Sequence, residues 1–339
     1  MHSNAIDLRK MTIPEEFCDC RFFCFRALLS LYGYFPSEED MLGLGDGLSL
    51  QLLNVSPLST KIYCPIGRVM NFEADYGERV GIGITGAQFT PDRILSQIRE
   101  KIDAGDPIIA NVDRYYLPYL SIQRAHVGYH TVLVFGYDDE SQTLKLLDGL
   151  TGPEVIDLPY DTFEKAVLSD CPIPTNRLWY FLDRGRCVPG KQTTEKEIAG
   201  LLRNTCRRVL AETESAGGFV TAMKGYLNAG AASPQIRKFL DVQSNVFFPC
   251  FHEQERYRAF YRKTFFAFVK NHLSVFPEAF HAAILETGEA WLASIDKVNE
   301  ARLRDAAEAL LAFDAYLGRE EAMHRLLLDA LKEGQDTAA

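Results

Sequence analysis

The stretch HTVLVFGYDDESQTLKLLDG, residues 130–149, determines how we interpret the first half of the chain. Two apolar runs, HTVLVFGYDD and TLKLLDG, flank the residues DDES, which are typical of a turn. We therefore predict two antiparallel strands. If the loop centres on Asp139, paired residue numbers add up to 278, so that His130 lies opposite Asp148. Opposed residues share a face at a distance that suits a hydrogen bond from the imidazole to the carboxylate. The alternative is a buried core histidine and an ordinary turn aspartate before Gly149.

A second histidine, His126, lies four residues before His130. On a strand the two would share a face, but Gly128 between them indicates a loop. We therefore favour His130 over His126 as a base.

The bulk composition is that of a globular protein. The chain has 339 residues, of which 47% are hydrophobic and 24% are charged, which is enough for one large domain or two ordinary ones. We expect no membrane span, because no run of about 18 apolar residues occurs. No signal peptide is recognised at the N-terminus, so we expect a cytoplasmic protein. The net charge of −10 argues against nucleic acid as a partner, and we expect no cofactor.

The two halves of the chain differ in their sequence patterns, and we predict an α+β fold class. Short apolar runs broken by Gly, Pro and Asp indicate mixed helix and strand over residues 1–188. From about Glu195 onward, apolar residues recur at helical spacing, which predicts an all-α domain over residues 193–334. The polar segment RGRCVPGKQTT is the predicted linker.

Within EEFCDCRFFCFRALLSLYGY, a helix is predicted from about Cys20 to Tyr32. Asp19 is the expected N-cap, because its carboxylate can accept hydrogen bonds from free backbone N–H groups. Gly33 is the expected stop signal.

Further elements follow from similar signals. TPDRILSQIREKIDAG predicts a helix that is capped by Thr90, has Pro91 at its first position and ends at Gly105. DPIIANVDRYYL, residues 106–117, predicts a strand that is apolar at its start. NRLWYFLD, residues 176–183, predicts another strand at the edge of this domain.

Cys20 is a candidate nucleophile because it falls in the first turn of its predicted helix. The helix dipole and the backbone N–H groups there favour a thiolate. A thiol at a helix start, followed along the chain by a His and then an Asp, is the papain-type order. Alternatively, Cys20 is a small buried residue. Cys18 and Cys24 compete as nucleophiles, and the three together are a weak zinc candidate without a fourth ligand.

Several segments resemble the butirosin biosynthesis protein H (BtrH) family. DCRFFCFRALLSLYG resembles the nucleophile helix of bacterial papain-like enzymes, which include the leader peptidases fused to bacteriocin exporters. The segments SEEDMLGLGDGLSL, DPIIANVDRYYLPYL, GYHTVLVFGYDDE and LLDGLTGP resemble successive motifs of the BtrH family. The resemblance covers roughly residues 18–170, and the helical second half resembles the C-terminal domain of that family through weaker motifs.

The resemblance implies a papain-like fold with a catalytic triad that carries over to Cys20, His130 and Asp148. It also implies acyltransferase activity in secondary metabolite or antibiotic biosynthesis. The acyl group would pass from the thioester of an acyl carrier protein, or of CoA, to the cysteine and then to a small amine, which in the butirosin case is an aminoglycoside.

One departure concerns the oxyanion hole. The exporter peptidases place a Gln six residues before the nucleophile, whereas this chain has Pro14 there. The hole must then use the backbone N–H of Cys20 and another donor. This weakens a peptidase interpretation more than an acyltransferase one, because a thioester needs less activation than an amide. A cysteine hydrolase on the same triad and a non-catalytic binding module of the same fold remain the alternatives.

Candidate substrate-binding residues flank the three catalytic candidates. The glycines of GLGDGL lack the lysine of a phosphate-binding loop, and they form either a mobile wall of the site or a plain connection. The polar residues after the strand at residues 106–117 either bind a polar or amine substrate or cover the sheet edge. The candidates are Asp113, Tyr116, Tyr119, Gly45 and Gly47. The basic, aromatic segment YRAFYRKTFFAFVKNHL either docks an acidic carrier protein or is core with a charged edge.

Overall fold

The computed structural model describes residues 3–17, 19–54, 63–69, 71–120, 126, 128, 130–171, 175–230, 238, 247–248 and 261–336. The chain divides into two compact units, one formed by Met1–Glu38 with Val80–Lys191 and the other by Glu39–Arg79 with Gln192–Ala339. The break after Lys191 falls within the predicted linker. The segment 39–79, which the predicted domain 1–188 includes, instead groups with the C-terminal helices.

The first unit is built on an antiparallel sheet. Its strands are β1 Ser3–Ala5, β4 Ile84–Gln88, β5 Ile108–Val112, β6 His130–Asp138, β7 Thr143–Asp148, β8 Gly152–Pro159 and β9 Leu178–Leu182. Among the described residues, they follow the order β4-β9-β5-β6-β7-β8, and β1 pairs with the far half of β6. Strands are confirmed within the predicted segments 106–117, 130–139 and 143–149, but residues 114–116 of the first segment form a 3-10 helix. The strand near residue 180 was wrongly predicted at the edge, because β9 lies between β4 and β5.

Helices cover both faces of this sheet. The helices are α1 Cys20–Ser30, α4 Ile94–Asp103 and α5 Tyr160–Val167. Ile98 of α4 and Phe163 of α5 are fully buried in one core with Ala110 and Val112 of β5. Asn111 between these two points to the opposite face. There it accepts a hydrogen bond from Arg21 of α1 (3.3 Å), so α1 packs on the other face.

The predicted cap, start and stop signal of α1 are confirmed, although the helix ends two residues before the predicted Tyr32. Asp19 has extended backbone angles, and its side chain accepts a hydrogen bond from the backbone N–H of Arg21 at 2.6 Å. Cys20 is the first helical residue. The helix ends at Ser30, and Gly33 follows in the left-handed conformation with a φ of 80°. Helix α1 therefore presents Cys20 at its N-terminus, where the free backbone N–H groups are found.

The predicted start of α4 is wrong, because the helix begins at Ile94 after an N-cap, Arg93, that makes no side-chain cap bond. The residues before it form a turn, in which the N–H of Arg93 donates to the carbonyl of Thr90 at 2.9 Å. The N–H of Thr90 donates to the side chain of Gln97, so Thr90 is held by the helix rather than capping it. Pro91 lies in this turn, and Gly105 ends the helix as predicted, with a φ of 82°.

The second unit consists of long helices and a two-stranded sheet. Its elements are α2 Glu38–Leu44, which begins at the last residue of the first unit, β2 Leu48–Asn54, β3 Tyr63–Arg68, α3 Phe72–Val80, α6 Glu195–Gly230, α7 Tyr261–Asn271, α8 Glu278–Ala301 and α9 Ala306–Asp336. Side chains of α6 explain why 39–79 belongs here. Arg208 forms an ion pair with Asp46 at 2.8 Å, and Glu212 accepts from the N–H of Leu50 at 2.6 Å.

A buried ion pair lies inside this unit. Arg262 of α7 and Glu320 of α9 are both fully buried and 3.0 Å apart. Arg262 also donates to the carbonyl of Ser49 at 2.8 Å, while Glu320 accepts hydrogen bonds from Trp291 and Tyr316. The basic, aromatic segment suggested for carrier docking is thus largely interior, since all four of its described aromatic residues are buried as well. Its residues 257–260 lie outside the described part of the chain.

No described helix is long and apolar enough to cross a membrane. Within the described residues, no group of three or more His, Cys, Asp and Glu side chains has an arrangement that could hold a metal ion. Cys18, which the zinc alternative would need, lies outside the described residues.

Candidate active site

The position of the thiols separates the cysteine candidates. Cys20 is partly exposed at the start of α1, whereas Cys24, one turn later, is fully buried. The Cys24 thiol donates to the carbonyl of Thr131 (3.6 Å), and burial raises its pKa well above the usual value. A buried neutral thiol is a poor nucleophile. The structure therefore leaves Cys20 as the accessible thiol of this helix.

Arg21 anchors the beginning of the helix. Its side chain is fully buried, and its guanidinium lies 5.0 Å from the ring centroid of Tyr180 in β9. It also donates to Asn111 of β5. Because Arg21 follows Cys20 directly, these contacts fix the thiol relative to the sheet.

The hairpin of β6 and β7 brings together His130 and Asp148, but not through the predicted register. Paired residues near the turn add up to 281, as in Asp138 with Thr143. After a bulge between Val134 and Gly136 the sum becomes 280, as in Leu133 with Leu147. Extending this register places Val132, not His130, opposite Asp148.

The two side chains meet diagonally. His130 is two residues from Val132 and therefore on the same side of the strand. A diagonal neighbour of this kind is still within reach of a long side chain. The Nε2 atom of His130 lies 2.7 Å from Oδ2 of Asp148, and both side chains are buried, with exposures of 5% and 0%.

His130 also interacts with Cys20. Each is the first residue of its element, so they meet at the end of the sheet. Burial alone would lower the pKa of His130, but the negative charges of Asp148 and Cys20, and hydrogen bonds with both, raise the pKa to about 10. Since Nε2 is bound to Asp148, the ring lies between this carboxylate and the Cys20 side chain.

Asp148 is held by more than His130. The hydroxyl of Tyr119 donates to the same Oδ2 atom at 2.9 Å, and the N–H of Leu150 donates to Oδ1 at 2.8 Å. Burial alone would raise the pKa of Asp148. The charge and hydrogen bond of His130, together with the two donors Tyr119 and Leu150, outweigh burial and lower the pKa below its usual value. Burial and the neighbouring carboxylate raise the pKa of Tyr119, so its hydroxyl keeps its proton and donates.

Tyr119 was predicted to bind substrate, whereas its hydroxyl is bound to Asp148 in the structure. The sequence did place Tyr119 near the site through its position after β5. Nothing in the sequence indicated that the Tyr119 hydroxyl would reach the Asp148 carboxylate, because this contact depends on the path of residues 113–120.

Asp113 does not offer a free carboxylate to a substrate cation. It is fully buried, and its Oδ2 atom lies 2.7 Å from Nδ1 of His126 and 2.6 Å from the hydroxyl of Ser169. Its Oδ1 accepts from the N–H of Tyr115. The predicted pairing of Asp113 with a substrate cation is therefore replaced by a pairing with His126. Tyr116 is half-buried, and its ring makes an edge-to-face contact with that of His126.

Gly45 and Gly47 lie in the second unit and are both buried. A Cβ atom on Gly45 would lie 2.5 Å from the carbonyl oxygen of Met41 and 2.6 Å from that of Phe72. A Cβ atom on Gly47 would lie 2.7 Å from the side chain of Leu42. Close packing therefore explains why both positions are occupied by glycine. A role of Gly45 and Gly47 in substrate binding stays a prediction.

The fold and the site define an α+β domain in which a helix-start cysteine, a histidine and an aspartate converge. Residues 19–149 match the family model described as Butirosin biosynthesis protein H, N-terminal. The match begins at the cap of α1 and ends directly after Asp148, so it includes Cys20, His130 and Asp148. This part of the chain is similar to the butirosin biosynthesis protein H family, and the match suggests a biosynthesis-related enzyme of that type. A comparison with curated proteins gave no match.

Proposed function

We propose that the protein is a cysteine-dependent acyltransferase of papain-like mechanism, in which Cys20 is the nucleophile, His130 the acid and base, and Asp148 the group that orients His130. The observation that carries this proposal is the buried 2.7 Å contact between Nε2 of His130 and Asp148, with the Cys20 side chain near enough to the same ring to raise its pKa. This is the arrangement that activates a thiol for covalent catalysis.

In the first half-reaction, the Cys20 sulfur attacks the carbonyl carbon of an acyl thioester carried by an acyl carrier protein or CoA. The bond from the acyl carbon to the donor sulfur breaks, and the leaving thiolate takes the proton from Nδ1 of His130. The raised pKa of His130 supplies a protonated ring at neutral pH, and that cation stabilises the attacking thiolate.

In the second half-reaction, neutral His130 acts as the base. An amine nitrogen attacks the acyl carbon on Cys20, and its N–H proton passes to Nδ1. The carbon–sulfur bond breaks, which releases the amide and restores the pair of Cys20 and His130. Asp148 holds the Nε2–H throughout, so that Nδ1 always faces the sulfur.

A thioester suits this site better than an amide does. The position six residues before Cys20 is occupied by the buried Pro14, which has neither a backbone N–H nor a side-chain amide to donate. An oxyanion hole with fewer donors provides less activation of the carbonyl group. A thioester needs less activation than a peptide bond, so transfer from a thioester is the reaction that we favour over peptide hydrolysis.

Intact-mass measurement after incubation with acyl-N-acetylcysteamine thioesters tests the proposal. We expect a single acyl adduct on the wild-type protein and on Cys24→Ala, and none on Cys20→Ala. Adding small amines to the loaded protein should then produce amides faster than free acid forms. Free acid as the main product would indicate a hydrolase instead.

A non-catalytic module of the same fold would behave differently. It would show no adduct, and iodoacetamide would alkylate Cys20 no faster than an ordinary exposed thiol. We expect selective alkylation of Cys20, detected by peptide mapping, and slower alkylation in His130→Gln. Equal rates at all thiols would contradict the proposal.

A further inference from the structure

A second histidine–aspartate pair lies at the same end of the sheet. Asp113 follows the last residue of β5 and is fully buried, and its Oδ2 atom is 2.7 Å from Nδ1 of His126. Ser169 donates to the same oxygen atom at 2.6 Å. The side chain of His126 is 46% exposed, whereas that of His130 is only 5% exposed. One pair is therefore sealed from solvent, and the other is in contact with it.

The orientation of His126 is fixed. Because Asp113 accepts the proton on Nδ1, the neutral ring carries its lone pair on Nε2. The ring of Tyr115 stacks on His126 with centroids 4.0 Å apart, and the ring of Tyr116 makes an edge-to-face contact with a centroid distance of 6.1 Å. Among the described residues, Asp113 is the charged group in contact with the ring. Lys165 of α5, which is near Tyr116, is paired with Asp161.

The sheet register places this pair beside the proposed catalytic site. Val112 is the Cα partner of His130, and Asp113 is the next residue. Paired Cα atoms in antiparallel strands lie about 5 Å apart and successive Cα atoms about 3.8 Å apart, so those of Asp113 and His130 lie within roughly 10 Å. Tyr119, between Asp113 and His126 in sequence, bonds to Asp148.

The proposed reaction produces one proton that His130 cannot retain. At neutral pH a simple amine acceptor is an ammonium ion, R–NH₃⁺, which has no lone pair to attack a thioester. Its conversion to an amide nitrogen releases two protons. One returns to the Cys20 and His130 pair when the carbon–sulfur bond breaks. The other must leave before the attack and pass to solvent. Hydrolysis has no such requirement, because water attacks without prior deprotonation.

We propose that His126, oriented by Asp113, is the general base that removes this first proton from the acceptor ammonium. This inference rests on the proposed acyltransferase function. Nε2 of His126 takes the proton from R–NH₃⁺, the resulting amine attacks the acyl carbon on Cys20, and the half-exposed imidazolium passes the proton to solvent. His126 thus favours amines over water as the acceptor.

Single-turnover transfer from the acylated protein tests this role. His126→Gln should load acyl groups from a thioester as fast as wild type, and its acyl-enzyme should hydrolyse at the same rate. Transfer to ethanolamine at pH 7 should fall by about 100-fold, the usual contribution of a positioned general base. The deficit should shrink as the pH approaches the pKa of ethanolamine. Transfer to hydroxylamine, which is already neutral at pH 7, should be unchanged.

Two controls make the outcomes distinct. His281→Gln is the same substitution in the second unit, and it should leave the rates of loading, hydrolysis and transfer unchanged. His126→Ala should reproduce His126→Gln, which guards against an effect of the new amide. Equal loss with ethanolamine and hydroxylamine would show that His126 only holds its segment in place, and no loss with either would also overturn the inference. A protein that no thioester acylates would refute both the acyltransferase proposal and this one.

Discussion

Tyr119 and His130 share one oxygen atom of Asp148, at 2.9 Å from the hydroxyl and 2.7 Å from Nε2. The carboxylate is fully buried, so these contacts and the N–H of Leu150 replace its hydration. Tyr119 therefore fixes the position of the group that orients the histidine.

Removal of the Tyr119 hydroxyl should weaken this orientation without removing any proposed catalytic group. We expect Tyr119→Phe to lower the acyl-loading rate by about tenfold, because one hydrogen bond to a charged group contributes about 1.5 kcal/mol. The pH at which loading is half-maximal should also move, because Asp148 loses a donor. Tyr116→Phe is the matched control and should keep both values. A changed affinity for the amine with an unchanged loading rate would instead support the predicted substrate-binding role.

The pair of His130 and Asp148 should make stability depend on pH in a defined direction. The pKa of His130 is raised from 6.5 to about 10, so its contribution is fully present below about pH 6.5 and is lost as the pH rises towards 10. The pKa of Asp148 is lowered, so its contribution is lost only as the pH falls through that lowered value.

Urea unfolding of wild type and His130→Gln between pH 6 and pH 10 tests this linkage. We expect the stability advantage of wild type to be largest near pH 6 and to decline continuously towards pH 10. An advantage that does not vary with pH would show that His130 is neutral in the folded protein.

The buried Glu320 should be far more important for stability than its neighbour Glu321. Glu320→Gln leaves the buried Arg262 without its counter-charge, which costs about 3–5 kcal/mol in such pairs. Glu321 forms an exposed ion pair with Arg325, and Glu321→Gln should change the free energy of unfolding very little. Far-UV circular dichroism during urea unfolding measures both variants. Similar losses would contradict the importance of burial.

Gly45 offers a test of packing against a role in substrate binding. A Cβ atom at Gly45 meets two backbone carbonyls, so Gly45→Ala should destabilise the second unit by about 1–3 kcal/mol. Gly218 in α6 has no atom within 4 Å of a Cβ atom, and Gly218→Ala should stabilise its helix by about 0.5–1 kcal/mol. Fluorescence of the buried Trp291 in a Trp179→Phe background reports on this unit. Unchanged stability with impaired transfer would restore the binding role.

The sequence was sufficient to predict that His130 meets Asp148, although the predicted register was wrong. The predicted sum was 278, and the sum near the site is 280. An error of two keeps His130 and Asp148 on one face, whereas an error of one would have separated them. The loop was misjudged because Gln142 adopts a φ of 54°, a conformation that a glutamine gives no reason to expect.

Other parts of the fold could not be predicted from local signals. Strand β4 has the sequence ITGAQ, with two small residues in its centre, and it was missed; β9 therefore seemed to be an edge strand. The pairing of His126 with Asp113 joins two residues of the long connection between β5 and β6. Only the tertiary structure brings such residues together, because neither has a periodic pattern around it.

The bulge between Val134 and Gly136 separates the tip of the hairpin from its base. Pairings on the two sides of the bulge differ by one residue, so changes in length at residues 139–142 need not be transmitted to His130 and Asp148. Natural variants could therefore diversify this outer turn while the chemistry at the opposite end is conserved. The same turn is a rational place to attach a spectroscopic label for following the reaction.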